Sequence, residues 1–186
     1  MREKLIQAAI EFVYKHGFHG LSMGKLASSH KIAVGNFYYH FKSKQDLIDH
    51  CYIQCKKNEA LALANIDTKG SYKKQLSKYL AALLNYYRTH MAEYTFVKDT
   101  ESGGAIGIAA RMAGRTEESH FAQFIQAGIA QDHLRTINPE LAIQLCTSSI
   151  HSLITQEKLT GTASITADID DVMNFIWRGL KKTNKK

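Results

Sequence analysis

Proline is almost missing from this 186-residue chain, which holds a single one, Pro139. No alternating apolar runs bounded by turn residues are present either, and the two absences together argue against sheets and for an all-α fold. No apolar stretch approaches the ~20 residues of a membrane span. The opening MREKLIQAAIEFV is amphipathic and has no cleavage region, so neither anchor nor signal peptide is expected and the chain is expected to be cytoplasmic. Cysteine is scarce: Cys51, Cys55 and Cys146. Catalytic constellations are missing as well. Gly103-Gly104-x-x-Gly107 has no preceding strand and so is no dinucleotide fingerprint. His151 with Glu157, or Ser119 with His120, lacks the third partner and oxyanion donors of a nucleophilic site. The nine histidines are scattered, so no enzyme, metal or cofactor is expected.

What is present is 45% hydrophobic residues, enough for a proper core, and an uneven charge map. Residues 1–50 carry seven cations (Arg2, Lys4, Lys15, Lys25, Lys31, Lys42, Lys44) against four acids (Glu3, Glu11, Asp46, Asp49), a net +3. Lys181, Lys182, Lys185 and Lys186 supply the remaining +4, and residues 51–180 balance to zero. A basic head on a neutral body suits nucleic-acid binding; the tail reads as a solvated end suited to a helix C-terminus.

The stretch SMGKLASSHKIAVGNFYYHFKSKQD, residues 22–46, carries the most information. Ser22 is placed to N-cap a short helix that buries Leu26 and the small Ala27. A turn through His30 and Lys31 follows, with Ile32 plugging the angle before helix resumes near Val34. Phe37 and Phe41 recur at i, i+4 as a buried stripe, leaving Ala33, Val34, Gly35, Asn36, Tyr38, Tyr39 and His40 on a face of small and hydrogen-bonding side chains. Ser43 with Asp46 makes a capping box, and Lys44 in the first turn beyond it offers a place for an anion.

The helix LIQAAIEFVYKHGF, the run LSMGKLA and the signature FYYHFKSKQDL resemble the DNA-binding domain of the tetracycline-repressor (TetR) family of bacterial transcription regulators over Leu5 to Leu47. Tyr-x-His-Phe-x-x-Lys followed closely by Leu is the specific part. The resemblance implies a homodimer reading a palindromic operator on double-stranded DNA, Val34, Gly35, Asn36 and Tyr39 approaching base edges and Ser22, Tyr38, His40 and Lys44 holding phosphates. It further implies a three-helix helix-turn-helix domain (residues 1–46) and a helical regulatory, ligand-binding and dimerisation domain (47–186), about nine helices in total. Two positions depart from the pattern: Lys31 stands where glycine is usual in the turn, and Gly24 where relatives carry a polar or basic side chain.

Beyond the head, helices are expected over about 44–65 and 72–91, the latter with Leu76, Tyr79, Leu80, Leu83 and Leu84 on one face. Tyr94 to Lys98 reads as a short helix or an extended piece, the glycines at 103, 104 and 107 leave the region to Gly114 open, and Thr116 reads as a helix start. Asn138-Pro139-Glu140 begins the next helix, with Asp132 or His133 where relatives often have glycine. The last two helices, about 139–160 and 166–183, are implied to pair with those of a second subunit. Ile169, Val172, Met173, Ile176 and Leu180 form a stripe there that equally suits the subunit's own core, and Thr147, Ser148 and Ser149 are small enough for close approach.

An effector, an unknown small molecule whose binding releases DNA from a repressor, is implied for the body. Its candidate lining is Tyr86, Tyr87, Met91, Tyr94, Phe96, Met112, Phe121 and Phe124, with Arg88 and Arg111 as anion partners; such a stripe equally makes ordinary core. The alternative signal is redox or metal chemistry at Cys51 and Cys55, one helical turn apart beside His50, although that spacing strains a disulfide in an intact helix.

Overall fold

The computed structural model describes residues 1–67, 69–117, 119–161 and 166–182. Among them are ten α-helices: α1 (Arg2–His16), α2 (Met23–Ser29), α3 (Val34–His40), α4 (Lys44–Ala64), α5 (Tyr72–Thr89), α6 (Met91–Ser102), α7 (Ile108–Glu117), α8 (Ser119–Ala130), α9 (Pro139–Thr160) and α10 (Thr166–Leu180). The all-α class is as expected, and the count exceeds the expected nine by one. The open region resolves into α6 and α7, divided where Gly104 takes a left-handed φ of 62°. Thr116 lies in the last turn of α7 instead of starting the next helix, and Glu118 lies outside the described residues. The lysines at 185 and 186 also lie outside them.

By their contacts the residues fall into two compact units, Met1–Glu59 with Thr89–Glu118, and Ala60–Arg88 with Ser119–Lys186. In the first, α1 buries Leu5, Ile6, Ala9, Ile10 and Val13 in one core with Leu26, Phe37, Phe41, Leu47 and Phe96. Phe96 and Val97 bring α6 into that core, so the head is supported by a helix distant in sequence. A hydrogen bond from the Tyr52 hydroxyl to Glu101 (2.8 Å) ties α4 to α6 at the edge. Deeper on α4, Lys56 pairs with Glu59 at 3.1 Å, both buried, and Asn58 donates to both oxygens of Glu93.

In the second unit the expected stripe of α5 is buried as read. Tyr79 packs its ring 5.4 Å from Phe121 and 4.7 Å from Phe124 on α8, and Tyr72 stacks between Phe124 (4.3 Å) and His133 (4.8 Å). The Tyr72 hydroxyl donates to the Phe124 carbonyl, and Gly128 leaves the room that this hydroxyl fills. After α8 the chain reverses at Asp132, with φ 61°, and the amides of His133 and Leu134 both reach the Gly128 carbonyl at 2.9 Å. Aspartate therefore does the work of the glycine usual there. Asn138 then caps α9, its side chain accepting from the amides of Glu140 and Leu141, with Pro139 in the first turn.

The stripe read on α10 faces inward, with Ile169 and Val172 half-buried and Phe175 lying outside it. Met173, Ile176 and Leu180 are buried in their own subunit, as Ala142, Cys146, Ile150, Leu153 and Ile154 of α9 are. Phe175 points away and is 76% exposed, and Leu141 and Leu145 on α9 are exposed as well.

Candidate DNA-reading surface

Ser22 accepts the Lys25 amide on its Oγ (3.3 Å), which fixes the start of α2 and turns Met23, Leu26 and Ala27 inward. The chain then bends sharply: Lys31 adopts φ 54°, its amide bonding the Ser28 carbonyl, and the Ile32 amide returns to the Ala27 carbonyl at 2.9 Å. The turn keeps the left-handed geometry that usually selects glycine, and a lysine bears its strain. Ile32 is half-buried against the head core, as its plugging role requires.

Helix α3 follows with Ala33 at its N-cap. Phe37 and Phe41 are essentially fully buried, which sets the rotation of the helix and leaves Val34, Gly35, Asn36, Tyr38 and Tyr39 exposed. Tyr39 is 84% exposed, far more than a packing role would leave it. His40 is half-buried, edge-on to Tyr39 at 4.9 Å. The Arg2 guanidinium lies 5.3 Å from the Phe41 ring centroid, so α1 places a cation beside the end of α3.

The start of α4 is fixed by a variant of the expected capping box. Ser43 Oγ accepts the Asp46 amide (3.1 Å), while the Asp46 carboxylate accepts the amide of Lys42, one residue before Ser43, at 2.8 Å. Asp46 also faces His50, whose Nδ1 is 3.1 Å from its Oδ1 and donates to its carbonyl at 2.8 Å. With Asp46 so engaged, Lys44 extends over the Phe18 ring at 5.8 Å and remains exposed. Exposed Arg2, Lys25, Lys31 and Lys42 belong to the same unit. The sequence reading counted their charge but named only Lys44 as a contact; the +3 excess was the signal for the others. At Gly24 a Cβ would meet nothing within 4 Å.

The candidate effector residues are distributed over both units. Tyr86, Tyr87, Phe121 and Phe124 are buried in the second unit, and Met91, Tyr94, Phe96 and Met112 belong to the first. Phe96 is core beneath α1, and Met112 is 65% exposed. Arg88 is bound by Glu157 through both Nε (3.0 Å) and a second guanidinium nitrogen, which neutralises it as an anion partner. His151 Nε2 lies 3.2 Å from the Tyr87 hydroxyl.

A groove of about 770 Å³ runs instead along α9 and α10, with Ser152, Gln156, Asp171, Phe175 and Arg178 among its walls.

The structure does not support the cysteine switch. Cys51 and Cys55 are buried in the head core, where burial pushes both thiols well above their ordinary value and holds them protonated, the form that neither attacks a disulfide nor binds metal. Cys51 instead donates weakly to the Ile6 carbonyl at 3.7 Å. Among the described residues no group of three or more His, Cys, Asp or Glu side chains could hold a metal ion, and no helix is long and apolar enough to cross a membrane.

Residues 5–51 match the family model of bacterial regulatory proteins, tetR family. Over 100 residues the chain is 30% identical to "Probable HTH-type transcriptional regulator YttP" of Bacillus subtilis (strain 168). That match covers 52% of this chain and 48% of the relative, about half of each. A TetR family transcription regulator from Marinobacter aquaeolei VT8 superposes with a TM-score of 0.85 at 13% identity, over 98% of this chain and 96% of that one. The Bacillus subtilis transcriptional regulator FadR, solved in complex with stearoyl-CoA, does so with a TM-score of 0.75 at 16% identity, over 96% and 99%. At these identities the structural likeness is one of fold.

Proposed function

Because the chain belongs to the TetR family of bacterial regulatory proteins, we propose that it controls transcription by reading an operator through α3, as a homodimer, under the control of a small molecule. The observation that carries this reading is the division of α3: Phe37 and Phe41 lock it into the head, while Val34, Asn36, Tyr38 and Tyr39 are exposed in the unit that also exposes Arg2, Lys25, Lys31, Lys42 and Lys44. In this reading residues 1–46 act as the DNA-binding domain and 47–186 as the regulatory and dimerisation domain, working in the cytoplasm. Val34, Gly35, Asn36 and Tyr39 meet bases, and Ser22, Tyr38, His40 and Lys44 hold phosphates.

One seven-residue helix touches too few base pairs to select a site in a genome. A twofold dimer presents two at a fixed spacing, matching half-sites about 34 Å apart or multiples of that. The exposed apolar residues Leu141, Leu145 and Phe175 on α9 and α10 support dimerisation there. Repression, relieved when the effector binds, is the expected sign of control. A solved protein of the same fold holds stearoyl-CoA, which supports a small-molecule effector. For this chain the aromatic residues of the second unit, Tyr86, Tyr87, Phe121 and Phe124, are the lining to probe first.

Gel retardation on DNA upstream of the protein's own gene tests the proposal. A shift abolished by excess of the same DNA, and not by scrambled DNA, is expected. Equal competition by both would leave no operator to read.

A further inference from the structure

The exposed face of α10 carries an ordered set of charges. Asp171, Phe175 and Arg178 lie one above the next along it, a carboxylate and a guanidinium about 10 Å apart, at ~1.5 Å rise per residue, with an exposed ring between them, one helical turn from each. Met173, Ile176 and Leu180 occupy the opposite face and are buried in their own subunit, so the orientation of the helix is fixed. Among the described residues neither Asp171 nor Arg178 has an ion-pair or hydrogen-bond partner in its own subunit. Both nevertheless line the groove along α9 and α10, whose α9 wall is made of the small or neutral Ser149, Ser152 and Gln156.

A surface with opposite charges on either side of an apolar side chain near its centre is complementary to itself after a twofold rotation. We propose that the occupant of this groove is a second copy of the chain, its α10 antiparallel to the first, with Asp171 of each subunit paired to the partner subunit's Arg178 and the two Phe175 rings meeting near the axis. This rests on the dimer reading above and adds to it the register and the residues that select the partner. A parallel register would set like charges against each other. A relative lacking the same spacing of acid and base would be refused in the same way, so the pairs act on specificity more than on affinity.

The test uses the full-length protein in sedimentation and mixing experiments. Asp171→Arg alone creates two Arg–Arg contacts per dimer, and Arg178→Asp alone two Asp–Asp contacts; each should weaken self-association by about tenfold or more at low salt. Mixing the two single variants should restore a dimer containing one of each, because both cross-pairs are then complementary. The double variant Asp171→Arg/Arg178→Asp should dimerise with itself and not with wild type. These recoveries also show that the single variants are folded.

A wild-type dimer indifferent to the swaps, or single variants that fail to associate with each other while the double variant mixes freely with wild type, would overturn the register and leave the dimer reading standing. A wild-type monomer at micromolar concentration would overturn both and assign the groove to a different occupant.

Discussion

The Asp49 carboxylate accepts the Gly107 amide at 3.0 Å, joining the start of α4 to the loop between α6 and α7. Gln45 completes the link, donating to Asp49 Oδ1 at 2.8 Å and to the Ala105 carbonyl at 2.7 Å. A Cβ at Gly107 would come 2.8 Å from Asp49 Oδ2, so the loop approaches α4 as closely as glycine permits. Asp49→Ala strands a half-buried amide and should cost about 1–2 kcal/mol in urea unfolding. Gly107→Ala should cost a similar amount by displacing the carboxylate. The two should be less than additive in the double variant, because removing Asp49 makes room for the methyl group. Strict additivity would show that the contact stores no energy.

The strain at Lys31 gives a test of opposite sign. Its φ of 54° is unfavourable for a residue with a Cβ by roughly 1 kcal/mol. Lys31→Gly should therefore raise the unfolding free energy by about 0.5–1 kcal/mol, even though glycine gains freedom in the unfolded chain. A lower midpoint of thermal unfolding would mean that the lysine side chain contributes more than its backbone loses.

The reading head was legible in the sequence because its signals are local. A cap at Ser22, a small residue at Ala27 and two phenylalanines four apart are each decided within a few residues, and all three occur as read. The region from 91 to 117 was not legible, since three glycines within five residues resemble a loop whether or not helices flank them. Burial of Phe96 and Val97 under α1 is what makes α6 a helix, and a contact across some ninety residues leaves no periodic trace in a short segment. On α10 the stripe was visible and its destination was not: Met173, Ile176 and Leu180 suited the subunit's own core and a second subunit equally, and only packing shows that they face their own core while Phe175, outside the stripe, is left exposed.

That distinction predicts different fates for adjacent residues. Ile176, 5% exposed, should not tolerate a carboxylate, and Ile176→Asp should destabilise the subunit itself by about 3 kcal/mol or more. Phe175→Asp should leave the far-ultraviolet circular dichroism and the subunit fold intact while dissociating the dimer. If both variants unfold alike, Phe175 is core in the assembled protein and the subunit does not fold alone.

The thiols should be silent in the native protein. Burial pushes Cys146 up to about 12 from an ordinary 9.0, and Cys51 and Cys55 are raised by the same cause. At pH 8 a chromogenic disulfide reagent should find almost no reactive thiol until denaturant is added, and then three. For Cys146 the unfolded thiol ionises near 9.0 and the folded one near 12, so the stability linked to it is full below pH 9 and is lost as pH rises from about 9 to 12. Rapid labelling at pH 8 without denaturant would show that the head or the body opens readily.

The separation of base reading from phosphate holding can be measured on two side chains of the same surface. Asn36 is exposed on α3 and is suited to a bidentate pair with adenine, so Asn36→Ala should cost about 1–3 kcal/mol on the cognate site and relax the preference at one base pair in each half-site. Its effect on scrambled DNA should be small. Lys44→Ala should instead weaken binding to both DNAs alike and lower the salt slope by about one unit per subunit, as loss of one phosphate contact does. Gly24→Ala provides the control: the new methyl meets nothing within 4 Å, so specificity should be unchanged and α2 stabilised by up to ~1 kcal/mol. Titrations of each variant against cognate and scrambled DNA over a range of salt concentrations separate the three. Equal losses on both DNAs for Asn36→Ala would place Asn36 on the backbone and move base reading to Val34 and Tyr39, the other exposed side chains of that face.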